Sequence, residues 1–199
     1  ITVITTNADI EGTKRHWCVG ADNAQGAHIA GRMMGLFLGG KGRIAVVSSA
    51  IASENNNCYV QLRENEFKRF VRETYPDIQI VTTIDSFEDP QITYEKTAQL
   101  LRDYQDLQGL YITCGGVSQV GRALEESGRA KDIRVISYED YPEVVEFVRK
   151  DVIDCTLAGE IQKQGEIPVQ LIMDHLVFGK QPENDQVFTE IKVIVKESL

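Results

Sequence analysis

The chain has 199 residues, 42% hydrophobic and 26% charged, with 21 Lys+Arg against 30 Asp+Glu for a net charge of −9. This is ordinary globular composition, which excludes a disordered chain, and no run reaches the roughly 18–20 apolar residues of a membrane span. An acidic surface repels phosphate backbones, so these residues by themselves are a poor partner for nucleic acid.

The first apolar run, residues 1–5, reads as a short strand, and 17–20 as a second. From 24 to 38 the apolar residues Ala27, Ala30, Met34, Phe37 and Leu38 recur at helical spacing, and Gly39-Gly40 supplies a stop. Residues 43–48 (RIAVVS) form a continuous apolar strand of the kind buried on both faces of a parallel sheet. The alternation then continues with helix 59–74, strand 78–84, helix 91–104, strand 110–113 and helix 117–127. Strand 133–137, helix 142–150, strand 152–157, a last helix ending at Phe178 and a final strand over 187–195 follow. Gly165 and Pro168 blur the start of that last helix. Strands alternating with helices of this length predict an α/β fold with a parallel sheet.

Several catalytic and cofactor motifs fail on context. The glycine and lysine spacing of residues 35–42 imitates a phosphate loop, but Gly42 stands where Ser or Thr is needed, and the segment ends a helix instead of opening one. No GxGxxG follows a strand, and the three histidines hold no position suited to a catalytic base. The four cysteines form no CxxC pair, which predicts reduced, mostly structural thiols and no metal site. No cofactor is expected. The opening ITVITTNADIEG shows no basic region and no long apolar stretch, so a signal peptide is not predicted.

Ligands of open α/β sheets bind beyond the carboxyl ends of the strands. There the sequence places Asp9, Asn55 and Asn57, then Arg63 one helical turn on, Phe87, Cys114, Glu139 and Glu160. Carboxylates, amides, one forked cation and aromatics suit a neutral polyhydroxylated ligand, and the carboxylates leave a cationic amine open. Taken singly, Asn and Asp after strands are ordinary turn residues. Glu139 and Asp140 are neighbours on one short loop and do not converge on a substrate bond, so an enzyme is not expected.

Residues 19–31 (VGADNAQGAHIAG) followed by 42–47 (GRIAVV) resemble the VDNxxGgxlAxxhLxxxGhrrIa passage of lac-repressor-family regulators. Residues 61–67 (QLRENEF) resemble the xxRxxGF helix start of that family, 133–140 (IRVISYED) its isvvGyDD, and 156–176 its closing helix. The resemblance implies a type I periplasmic-binding-protein fold, divided into a lobe remnant at 1–40, a complete lobe at 41–155 and a return segment at 156–199. It implies that Arg63 and Glu139 contact ligand hydroxyls, that Phe87 matches a family aromatic, and that Cys114 replaces a usual Asn or Asp. Glu160 adjoins the position of an expected glutamine. The implied function is a sugar-sensing effector domain of a cytoplasmic, homodimeric transcriptional regulator. Its DNA contacts would come only from a helix-turn-helix outside this sequence. The alternative is a periplasmic sugar-binding protein of a transporter. On either reading Arg63→Ala is expected to weaken ligand binding at least about tenfold while hardly moving the melting temperature.

Overall fold

The computed structural model describes residues 1–9, 12–49 and 58–199. β1 (Ile4–Thr6) and β2 (Trp17–Ala21) pair in parallel, and β8 (Gln186–Thr189), from the far end of the chain, completes a three-stranded sheet beside β2. A larger sheet has the order β4-β3-β5-β6-β7-β9, built from β3 (Lys41–Ser48), β4 (Asp77–Asp85), β5 (Gly109–Ile112), β6 (Arg134–Tyr138), β7 (Cys155–Ala158) and β9 (Lys192–Ile194). All its pairings are parallel except β7 with β9. The expected parallel α/β architecture is therefore present.

The larger sheet is covered on both faces, which explains its unbroken apolar strands. Along β3, Ile44 and Val46 face one core, while Ala45 and Val47 face the other, and all four are fully buried. The first core is lined by α1 (Asn23–Phe37) and α2 (Cys58–Thr74), where Phe67 stacks on Tyr111 with ring centroids 3.9 Å apart. The second is lined by α3 (Pro90–Asp103), α4 (Val117–Ser127) and α5 (Pro142–Arg149) through Leu100, Leu101, Val120, Leu124, Val144 and Val148.

Helix α1 shows why small residues were needed. A methyl group added at Gly31 would come within 2.6 Å of Phe70, and one at Gly35 within 2.2 Å of Tyr75. With no side chains there, α1 lies close to α2 and buries Ala27, Ala30 and Met34 in the core of the larger sheet. The expected division at residue 40 groups this helix with the first lobe, but its packing puts it with the second.

Helix α6 (Ile161–Phe178) runs through Pro168, which has no N–H to give the carbonyl of Gln164. The Thr6 hydroxyl donates to that carbonyl instead, at 2.7 Å, and ties the helix to β1. The expected final strand, 187–195, is in fact two strands in two sheets. Thr189 ends β8, and Ile191 already packs on the core of the larger sheet before β9 begins. β7 starts later than expected, at Cys155, because Val152 and Ile153 are buried in the second core beneath α5.

Three crossings join the sheets, at β2–α1, β7–α6 and β8–β9, and they are laced together. The Gly159 carbonyl accepts from Gln164 Nε2 at 2.6 Å and from Thr189 Oγ1 at 2.7 Å. A Cβ at Gly159 would lie 2.8 Å from that of Ala21.

Candidate functional site

Strand order reverses between β3 and β5, and the crevice beyond their carboxyl ends is where such sheets take ligands. Two cavities occupy the space between the sheets there, of ≈ 670 Å³ and ≈ 480 Å³, and both are lined by Asn7 and Tyr59. Their sizes lie within the ordinary range for small-molecule sites.

Arg63 is the anchor of the smaller cavity. It lies one turn into α2 and is only 6% exposed. Its Nε donates to Asn23 Oδ1 at 2.7 Å and its Nη1 to the Thr113 carbonyl at 3.2 Å. The guanidinium lies 3.7 Å from the ring centroid of Tyr138, and its Nη2 stands 3.6 Å from Glu139 Oε1. That last separation is an ion-pair distance, longer than a hydrogen bond. Tyr138 is itself fixed by a 3.0 Å bond to the Tyr111 hydroxyl, and burial pushes its phenol up to about 12.

Glu139 sits just past β6 with φ +74, a left-handed conformation uncommon for a non-glycine residue. Two backbone bonds hold it there: its N–H donates to Leu157 O at 2.8 Å, and its carbonyl accepts from Thr156 Oγ1 at 2.7 Å. Its side chain stays 32% exposed, at the cavity wall. Cys114 also lines this cavity, with Sγ 3.3 Å from Ser86 Oγ. Burial pushes its thiol up to about 11, so at neutral pH it is protonated and a poor nucleophile.

The larger cavity is organised by Arg15. Its Nε and Nη2 fork onto the Asp9 carboxylate at 2.9 and 2.5 Å, while Nη1 reaches Asp185 Oδ2 at 3.0 Å. The hydrogen bonds it donates to Asp9 hold the Arg15 proton even more firmly than usual. Asp22 caps α1 by accepting from Gln25 N, and Phe188 presents a half-exposed ring.

Of the candidates read from sequence, Arg63, Glu139 and Cys114 come together on one cavity and Asp9 lines the other. Asn55 and Asn57 lie outside the described residues. Phe87 and Glu160 line neither cavity. Phe87 lies beneath Lys96, 4.3 Å from its Nζ, and Glu160 is held by Lys163 and Lys192, both at 2.9 Å. These lysines, Lys192 first, keep the Glu160 carboxyl below its usual range. Sequence reasoning passed over Asp22, Asn23, Arg15, Tyr59 and Asp185. Asp22 and Asn23 directly follow β2, so the post-strand rule would have found them. Arg15 and Asp185 carry no such signal, being far apart in sequence and joined only by the fold.

Among the described residues no helix is long and apolar enough to cross a membrane, and no group of His, Cys, Asp or Glu is placed to hold a metal ion. Two α/β sheets joined by three crossings, with a polar and aromatic cleft between them, define a two-lobed small-molecule binding protein. The sequence profile of the periplasmic binding protein domain matches residues 1–181, and the chain belongs to that family. The fold is that of the type I members.

The chain superimposes on GanP, a glucose-galactose binding protein from Geobacillus stearothermophilus, with a TM-score of 0.88 and 26% identity, covering 100% of this chain and 69% of that one. A sugar-binding protein of a sugar ABC transporter from Bacillus halodurans gives 0.88 and 24%, covering 99% and 69%. AraP, an arabinose binding protein from Geobacillus stearothermophilus, gives 0.84 and 23%, again covering 99% and 69%. No curated protein sequence matches the chain.

Proposed function

We propose that this chain is the ligand-binding part of a transporter's sugar-binding protein, which takes a monosaccharide reversibly between its two lobes. The observation that carries the reading is the Arg63 cradle. A buried guanidinium, held on Asn23 and Thr113 and stacked on Tyr138, stands beside the partly exposed Glu139 at the crevice. A fixed forked donor next to a carboxylate acceptor fits vicinal hydroxyls, and the ring of Tyr59 offers an apolar face. The sugar-binding titles of the solved relatives point the same way. Asn7 comes from the smaller sheet and Arg63 from the larger lobe, so a ligand touching both favours closure about the three crossings.

The regulator reading rests on residues 19–31, 42–47, 61–67, 133–140 and 156–176, which resemble lac-repressor-family segments. It would make the protein a cytoplasmic homodimer acting on DNA through another domain. The transporter reading stands first because the solved relatives include a binding protein of a sugar transporter. Sequencing the coding region upstream of Ile1 separates the two: a helix-turn-helix there makes it a regulator, a signal peptide a transport protein. Binding itself is tested by calorimetry of the full chain against glucose, galactose and arabinose, with Glu139→Gln alongside. At least one sugar is expected to bind, and the variant to bind it at least about tenfold more weakly, because a charge-assisted acceptor is lost. No binding of any sugar would sink the reading.

A further inference from the structure

Two adjoining cavities are more than one sugar ring requires. The smaller, ≈ 480 Å³, already lies within the ordinary range for a small-molecule site and holds the Arg63 cradle. The larger, ≈ 670 Å³, runs on from it, because Asn7 and Tyr59 line both. A single ring seated at Arg63 would leave the larger space to water when the lobes close, with the half-exposed ring of Phe188 still on its wall.

The larger cavity also repeats the chemistry of the smaller. Each combines a guanidinium fixed by its partners, a carboxylate beside it that stays accessible, and an aromatic ring about half exposed. In the smaller these are Arg63, Glu139 and Tyr141. In the larger they are Arg15, Asp185 and Phe188. The Asp185 side chain remains 73% exposed after one oxygen has met Arg15, so it keeps acceptor capacity for hydroxyls. Phe188 stands on a strand, not on a loop. Register pairs Cys18 with Gln186 and Gly20 with Phe188, and all four line the cavity, whose floor is thus one face of the smaller sheet. Gly20 has no side chain to cover the ring beside it. A ring held open in this way, next to fixed polar groups, suits the apolar face of a sugar.

We infer that the larger cavity is a second sugar subsite and that the protein prefers a disaccharide to a single ring. One ring lies at Arg63 and Glu139, the other on Phe188 beside Arg15 and Asp185. The bond joining them passes between Asn7 and Tyr59. Asn7 is fixed at that junction by its N–H, which donates to Val19 O at 2.8 Å. Linkage itself adds affinity: once the first ring is bound, the second is presented to its subsite at high effective concentration. The inference rests on the sugar-binding reading and extends its ligand from one ring to two.

The test is calorimetry of the full chain with maltose and cellobiose against glucose, and with lactose and melibiose against galactose and glucose. At least one disaccharide is expected to bind about tenfold or more tighter than either of its units, at one molecule per chain. Phe188→Ala is expected to cut that preference at least about threefold, and Phe188→Tyr, which keeps the ring, to retain it. Disaccharides binding no tighter than their units would overturn the inference and leave the sugar reading standing. So would a preference that survives Phe188→Ala intact, or two monosaccharides bound per chain with no gain from linking them. Absence of binding by every sugar, single or linked, would remove both readings.

Discussion

Replacing Arg63 with alanine is expected to damage the fold as well as the site. Its Nε bond to Asn23, at 2.7 Å, ties α2 to the start of α1, and its Nη1 bond holds the end of β5 at Thr113. Hydrogen bonds to charged groups contribute roughly 1.5–3 kcal/mol each, and a desolvated cation on an aromatic face about 2 kcal/mol. The Glu139 contact, with a carboxylate 32% exposed, adds at most about 1 kcal/mol after solvent screening. Against these stands a desolvation cost of several kcal/mol for the buried guanidinium, which truncation relieves. The Asn23 and Thr113 acceptors left behind are not relieved, so a net loss of about 3 kcal/mol is expected. For a chain of this size that lowers the melting temperature by roughly 6–12 °C, readable by calorimetry or by circular dichroism. Arg63→Lys, which keeps the charge and loses the fork, is expected to fall between parent and alanine. An Arg63→Ala protein that melts with the parent would refute the reasoning. It would also restore the expectation, drawn from sequence, that this arginine serves the ligand alone.

Three further perturbations probe other parts of the structure. Arg129 donates to the carbonyls of Leu101, Tyr104, Gln105 and Leu107 at the end of α3, so Arg129→Met is expected to lower the urea midpoint by an amount equivalent to about 2–4 kcal/mol; an unchanged midpoint would show these bonds exchange freely with water. At Gly159, a valine would press Cβ to 2.8 Å from Ala21 and 3.1 Å from Gln164 Nε2, with an expected loss of about 1–3 kcal/mol in urea unfolding; parental stability would mean the crossings are loosely packed. Burial pushes Cys114 up to about 11, and Cys155 and Tyr138 up to about 12, from ordinary values of 9.0, 9.0 and 10.0. Because the folded state holds these protons more tightly than the unfolded chain, their contribution is complete below pH 9.0 and is lost as pH rises toward about 12, so the melting temperature should fall steadily over that window, and a flat profile there would contradict it.

Most of the architecture was legible because buried parallel strands and amphipathic helices leave strong periodic signals. Val117–Ser127 was read to the residue, since a glycine in the left-handed region closes it at Gly128. What escaped was whatever depends on partners distant in sequence. The strand over 187–195 reads as one alternating run, and only the second sheet explains why it breaks at Glu190. Pro168 argues against a helix until Thr6 is seen to supply the missing donor. The same holds at the site. Glu139 directly follows β6, and Arg63 lies in the first turns of the helix after β3, so both could be found from sequence. The burial of Arg63, the diversion of Glu160 to two lysines, and the Asp9–Arg15–Asp185 cluster are products of tertiary structure.

The three-stranded sheet has a kinetic consequence. Its central strand, β2, finds one neighbour thirteen residues back, where Cys18 pairs with Thr5, but the other only near the end of the chain, where Cys18 pairs with Gln186. The strands of the larger sheet from β3 to β7 need only nearby segments, so they can assemble while the chain is still being made. The smaller sheet has to wait for β8, and closing so long a loop costs roughly 4–5 kcal/mol of chain entropy before any contact offsets it. Until then β1 and β2 have an open edge and an exposed face, and the nascent chain is most vulnerable to proteases and to its own kind. In the finished protein the same arrangement predicts that amides of β1, β2 and β8 exchange with solvent before those of β3 and β5.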